Sequence, residues 1–337
     1  MKKLSDLIRR HAQALWYVLT VILPVILHTG RRPVIFSRFA GMGDIICSFP
    51  AALELKKRHL HATFIYNCHR DSACLPEMGG VTRRVTHFRQ IGLVGYWYRW
   101  TLAGFYNFGS DDDDLSADHS ELFIVGYARR NGVKVGGEHP NLEANPETAA
   151  KIKSLREKCG LADAPLVLIH PGPSYPVKHW PRESWSTLVQ ELKRHGVHSI
   201  AQLGARAGSY SQTELEQFQP IPGVISLVQQ LSLAETVALI AQADLFVGVD
   251  SGLLHIAAAV RTPSVGLWGP TSPRFLYVES EYRNFVTSSV DCQGCHHRMP
   301  RLHWQTGCPY GVKCMKAILP KDVLRVCREN LAAKIKS

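Results

Sequence analysis

From Pro33 onward, short apolar runs alternate with stretches whose apolar residues recur every three or four positions. Val34-Ile35-Phe36 and Thr63-Phe64-Ile65-Tyr66 read as strands, and Gly41-Met42-Gly43-Asp44 reads as a turn. Ile45 to Arg58 has a helical period, with Ile45, Phe49, Ala52 and Leu53 on one side. Lys56, Lys57 and Arg58 stand at its end, where cations suit the helix dipole. Strand, turn, helix and strand in this order predict a parallel sheet with helices on both faces. Gly79 to Asp118 is less regular; it reads as strands and loops lining a cleft, with the acidic run Asp111 to Asp114 in the same stretch.

Pro140, Pro146 and Pro165 bracket one short helix, Glu147 to Cys159, and form the best linker. The alternation then restarts. Leu166 to His170, Ser199 to Leu203, Asp244 to Val249 and Ser264 to Leu267 read as strands, the last being the final one. Arg182 to His195, Leu233 to Gln242 and Leu253 to Val260 read as helices. A chain of 337 residues suits two cores rather than one. The expected division is an N-terminal helix over 1–30, α/β domains over 31–150 and 151–319, and a C-terminal helix over 320–337.

Composition adds two points. The formal net charge is +11, which favours anionic partners: nucleic acid, lipid headgroups or phosphorylated small molecules. No nucleic-acid module is recognisable, so nucleic acid is not expected. At the N-terminus, Lys2, Lys3, Arg9 and Arg10 precede the apolar stretch Ala14 to Leu27, and Arg31 and Arg32 follow it. A helix of that stretch reaches ~21 Å, short of the ~30 Å hydrocarbon core. The expectation is a helix lying in the interface of an anionic membrane, removable without unfolding the rest. The alternative is a helix packed on the protein itself.

Four motifs fall where strands give way to helices, the place where open α/β sheets bind ligands. Gly43-Asp44 follows the first strand, with Asp44 a candidate general base or a helix cap. Ser174 to Pro181 contains Ser174 and Lys178, a hydroxyl and a point charge suited to phosphate. Asp250-Ser251-Gly252 opens a helix carrying His255, and free N–H groups there form an anion cradle. Gly269-Pro270-Thr271 adds backbone donors. Arg83, Arg84, Arg89 and Arg99 are candidates for acceptor phosphates or carboxylates.

Together these motifs resemble glycosyltransferase family 9, the heptosyltransferases of lipopolysaccharide core assembly. The matching text is Gly43-Asp44-Ile45, Lys178-His179-Trp180-Pro181, Asp250-Ser251-Gly252 with His255, and Gly269-Pro270-Thr271-Ser272-Pro273, spanning roughly residues 34 to 320. The resemblance implies a GT-B fold of two Rossmann-like domains facing across a cleft, an acceptor domain first and a nucleotide-sugar domain second. It implies metal-independent, inverting transfer of heptose or a related sugar from a nucleotide-diphosphate donor such as ADP-heptose. The acceptor would be a glycolipid at the cytoplasmic face of the inner membrane, reached as a peripheral or monotopic protein. No cofactor is required on this reading. Asp44 matches the candidate base, Ser174 and Lys178 the phosphate loop, and Asp250, Ser251, Gly252 and His255 the donor motif. Gly204-Ala205-Arg206-Ala207 departs from the family's pattern, which often has an acid contacting the nucleoside there. The alternatives are a non-catalytic nucleotide-binding α/β protein and a nucleotide-sugar epimerase.

Nine cysteines are present, and four of them follow the spacing Cys292-x2-Cys295-x12-Cys308-x5-Cys314. A structural zinc site and free or paired thiols both fit. On either reading the cluster is expected to be structural and remote from the chemistry.

Overall fold

The computed structural model describes residues 2–110, 122–137, 139–162, 165–172, 175–204, 219–277, 284–297 and 307–335. Ser174, the run Asp111 to Asp114 and Ala205-Arg206-Ala207 lie outside them. The chain forms two compact units whose main division falls between Pro140 and Asn141, earlier than the expected 150.

The first unit holds a four-stranded parallel sheet in the order β3-β2-β1-β4. Its strands are β1 (Pro33–Phe39), β2 (Thr63–Asn67), β3 (Val85–Thr86) and β4 (Gly104–Ser110). Pro33 pairs with Thr63 and Val34 with Gly104, so all strands end at one edge. β1 is buried along almost its whole length because sheet neighbours and helices cover it. The helix expected over Ile45 to Arg58 is divided into Met42–Cys47 and Phe49–Arg58. Pro50 lacks the N–H a continuous helix would use, and Ser48 takes up the break. Ile91–Trp97, expected as strand or loop, is a helix.

The N-terminal segment runs as α-helix Lys2–Tyr17, π-helix Val18–Ile22 and α-helix Leu23–Thr29. Pro24 has no N–H to give, and beside it the Leu23 N–H reaches back to Val18 O, which widens the turn. Gly30, at φ 66°, ends the helix in the left-handed region. Over Leu4–Thr29 the helix is 26 residues, long and apolar enough to cross a membrane on length and composition alone, which corrects the shorter span read above. One face is nevertheless part of the domain. Ala14, Tyr17, Val18, Ile22 and Val25 are buried with Ile35, Ile65, Ile91 and Val94. At ~1.5–3 kcal/mol for each large apolar side chain, this burial rivals a whole domain's ~5–15 kcal/mol stability. Deleting residues 1–30 is therefore expected to destabilise the first unit, where the sequence reading expected a folded remainder.

The second unit holds a six-stranded parallel sheet in the order β10-β9-β8-β5-β6-β7. The strands are β5 (Val167–His170), β6 (Ile200–Gln202), β7 (Ile225–Ser226), β8 (Leu245–Val249), β9 (Ser264–Trp268) and β10 (Phe285–Thr287). β7 and β10 are additions to the expected set; each has only two or three residues, too few for a visible period. Chain order reverses between the neighbours β5 and β8, so the crevice at their carboxyl ends is a topological switch point. The core gathers Val167, Ile169, Trp185, Leu188, Val247 and Val265. Trp180 lies edge-on to Trp185 and donates its indole N–H to Ile318 O at 3.0 Å. The helix Pro320–Ile335 does not stand apart: Val323, Val326, Cys327 and Leu331 belong to the same core.

Candidate functional site

In the first unit the site begins where β1 ends. Ser37, Arg38 and Asn67 are polar yet buried at the carboxyl edge of the sheet. Asn67 donates to Ser37 Oγ at 3.0 Å and to Phe88 O at 3.1 Å, and accepts from the Phe88 N–H at 2.8 Å. This ties the end of β1 to the chain after β3. Arg38, fully buried, places Nη2 3.5 Å from Asp44 Oδ1, and Asp44 remains partly open to solvent. Gly41 holds the N-cap position of Met42–Cys47, so Asp44 falls in the first turn instead of capping it. A Cβ on Gly41 would stand 3.1 Å from Asp44 Oδ2, so the glycine leaves that carboxylate room.

The four candidate arginines of this unit are dispersed. Arg89 follows β3 at the same edge as Asp44. Arg99 precedes β4, beside Leu102 and the start of β1, at the opposite edge. Arg83 pairs with Glu77 at 2.9 Å on the surface. Arg84 is exposed and its carbonyl accepts from the Tyr66 N–H. Gly43 sits within the first turn of the helix that carries Asp44.

In the second unit the switch point gathers Lys178, Asp250 and Thr271. The Pro176–Lys178 turn is held in place by the buried Trp180 just after it. Lys178 Nζ lies 2.6 Å from Asp250 Oδ2, and Thr271 Oγ1 donates to the same oxygen at 2.7 Å. Lys178 is thus a mostly buried ammonium aligned by an acid, not a solvated lysine. Burial alone would raise the Asp250 carboxyl. The Lys178 charge, with hydrogen bonds from Lys178 and Thr271, outweighs it and holds Asp250 below its ordinary value. Ser251 occupies the N-cap position of Gly252–Ala259, and its buried Oγ has no hydrogen-bond partner among the described residues. The first N–H groups of that helix have no partner within it. His255 is buried and stacks on Tyr277 with ring centroids 5.3 Å apart.

Sequence reasoning missed Arg38, Asn67 and His170. Their signal was available: each is polar at the end of an apolar strand. His170 closes β5, donates Nδ1–H to Leu203 O at 3.0 Å, and is held neutral by burial, with its pKa lowered to about 4.

The cysteine cluster adjoins this site, which corrects the expectation that it is remote. Gly294, at φ 69°, turns the chain between Cys292 and Cys295. The Gly294 N–H donates to Gly269 O at 2.9 Å, and the His296 N–H to Pro270 O at 2.8 Å. Gln293 Nε2 donates to Trp268 O at 3.1 Å. A Cβ on Gly269 would collide with Met315 and come within 3.0 Å of Cys314 Sγ. None of the four is in a disulfide. Burial, then the neighbouring Cys292, Cys295 and Cys308, push Cys314 up to about 12. Among the described residues, these four sulfurs are not gathered within 4.8 Å of one another.

Two parallel α/β units, one with an anion-ready helix start at its switch point, define the nucleotide-binding α/β class in its GT-B form. Comparison with known proteins narrows this. The model of glycosyltransferase family 9 (heptosyltransferase) matches residues 130–304, a little over half of the chain, and the chain belongs to that family. It is 32% identical over 142 residues to lipooligosaccharide heptosyltransferase 2 of Haemophilus influenzae, covering 40% of this chain and 41% of that one. The chain thus spans about two fifths of the length of the curated relatives it matches. Its fold is similar to that of a family 9 glycosyltransferase from Veillonella parvula, with TM-score 0.67 and 15% identity over 90% of this chain and 97% of that one. It is also similar to ADP-heptose lipopolysaccharide heptosyltransferase II of Escherichia coli, with TM-score 0.64 and 16% identity over 90% and 99%.

Proposed function

We propose that this chain transfers heptose or a related sugar from a nucleoside diphosphate donor to a lipopolysaccharide-core glycolipid. It does so at the cytoplasmic face of the inner membrane. The observation that carries this reading is the Lys178–Asp250–Thr271 arrangement beside the Ser251 hydroxyl, which has no hydrogen-bond partner among the described residues. The E. coli relative's name supplies ADP-heptose as the donor class. Family membership and sequence similarity to named heptosyltransferases support the transfer itself.

In this mechanism the acceptor hydroxyl attacks the anomeric carbon while Asp44 takes its proton. The bond from that carbon to the diphosphate breaks in the same displacement, which inverts the centre. The leaving diphosphate gains charge, and Lys178, Ser251 and the N-terminus of Gly252–Ala259 stabilise it. Asp250 and Thr271 hold Lys178 ready for that task. Arg38 orients Asp44. No step calls on a metal ion.

Two variants test the reading. Asp44→Asn is expected to slow turnover ~10²–10⁴-fold while leaving nucleoside diphosphate affinity unchanged. Lys178→Ala is expected to weaken nucleoside diphosphate binding as well as slow turnover. Near-normal turnover of Asp44→Asn would remove the base assignment. Reaction of the donor without an acceptor would favour an epimerase, and no reaction under any pairing a binding protein.

A further inference from the structure

The N-terminal helix and the chain after β3 flank an open cavity of about 660 Å³. Arg9, Gln13 and Trp16 line it from the helix, at a spacing that puts them on one face. His87, Arg89 and Gln90 line it from the loop. That loop is fixed: Asn67 grips the Phe88 backbone, and His87 Nδ1 donates to Cys68 O at 3.0 Å. Tyr17, in the next turn of the helix, stacks on Phe88 at 4.7 Å and hydrogen-bonds Thr86 Oγ1 at 3.0 Å. The cavity therefore lies at the carboxyl edge of the first sheet, the edge that carries Asp44. Arg9 and Arg10 both pair with Asp6. Arg89 is exposed and has no hydrogen bond or ion pair among the described residues.

An apolar surface adjoins the cavity. Trp16, Leu19, Leu23 and Leu27 are exposed on the helix, and Leu27 is 76% open. Tyr96 and Trp97 are exposed on the helix Ile91–Trp97 and Trp100 on the turn Arg99–Thr101 after it, with Trp100 72% open. His11 meets Trp97 edge-on at 5.6 Å, and Arg32 donates to Trp100 O at 3.2 Å, so the two elements form one surface. Aromatic rings and leucines rimmed by arginines have the composition of a membrane-interface belt. Charge complementarity selects the occupant, since arginine forks favour phosphate and carboxylate.

We infer that this cavity binds the anionic headgroup of a bilayer lipid between Arg9 and Arg89, while Trp16, Trp97, Trp100 and the exposed leucines enter the acyl boundary. The inference rests on the proposed function only in placing such a lipid on the Asp44 edge as acceptor. A volume near 660 Å³ suits a phosphorylated sugar headgroup.

Vesicle cosedimentation of the full chain, with no donor present, tests it independently of transfer. Binding to phosphatidylcholine vesicles containing phosphatidylglycerol should exceed binding to phosphatidylcholine alone. Arg9→Gln/Arg89→Gln should weaken anionic-vesicle binding ~20- to 30-fold, since each basic residue at such a surface is worth ~1 kcal/mol. Arg31→Gln/Arg99→Gln removes the same charge outside the cavity and should lose clearly less; equal losses would overturn the cavity. Trp16→Ala/Trp97→Ala should weaken binding to both vesicle types. Full competition by millimolar inorganic phosphate would mean a site for free phosphate instead. Dimerisation without lipid, abolished by the cavity variants, would mean a second copy covers this face.

Discussion

Asp250→Asn removes one charge from the switch point of the second unit and little else. Both Lys178 Nζ and Thr271 Oγ1 rest on Asp250 Oδ2, at 2.6 Å and 2.7 Å, in a pocket that leaves Asp250 almost no exposure. The asparagine keeps the volume and one acceptor oxygen, so Thr271 keeps a partner while Lys178 loses its counter-charge. Breaking one side of a buried pair costs ~3–5 kcal/mol, because the remaining charge stays desolvated. In a unit of roughly 200 residues this lowers Tm by roughly 6–20 °C. Lys178→Met should cost a similar amount alone. The double variant should lose less than the sum by at least ~1 kcal/mol, since no charge is then stranded. The acid limb gives a second check. The folded Asp250 carboxyl is held below the ordinary 3.8, so its contribution is present above that value and is lost as pH falls through the lower folded value. The gap between wild type and Asp250→Asn should therefore close only in strong acid. Thermal melts of the four proteins across pH measure all of this. Additive single effects, or a Tm within ~2 °C of wild type for Asp250→Asn, would show that the pair does not carry the site.

Three further outcomes follow from the same geometry. His170 is neutral in the fold, with its pKa lowered from 6.5 to about 4. The unfolded chain binds a proton there first, so stability should fall by up to about 3 kcal/mol from pH 6.5 to pH 4, and denaturant titrations of His170→Gln should lack that slope. Gly269→Ala should cost ~1–3 kcal/mol through overpacking against Met315 and Cys314 and should weaken nucleoside diphosphate binding by moving Thr271. Elemental analysis should find under ~0.2 zinc per chain; a value near one would show that Cys292, Cys295, Cys308 and Cys314 close on an ion.

By itself the sequence determined the α/β class and which polar residues had to stand at strand ends. Near-continuous apolar runs such as Leu166 to Ile169 belong to buried parallel strands, and polar or glycine residues straight after them must sit at strand ends. Asp44, Lys178, Asp250 and Thr271 were legible for that reason. Their partnerships were not. Lys178 and Asp250 lie 72 residues apart, and only the adjacency of β5 and β8 brings them together. The same holds for the buried Arg38 beside Asp44, and for the candidates Arg83, Arg84, Arg89 and Arg99, which are divided between sheet edges and surface. The N-terminal helix shows the limit most clearly. Its apolar residues announce a helix that must hide from water, yet apolarity does not say from which side. Only tertiary packing gave one face to the sheet beneath Tyr17 and Ile22 and left Trp16, Leu23 and Leu27 uncovered. The short strands β7 and β10 escaped for a related reason. Two or three residues carry no period, and their strand character comes from the ladder they join.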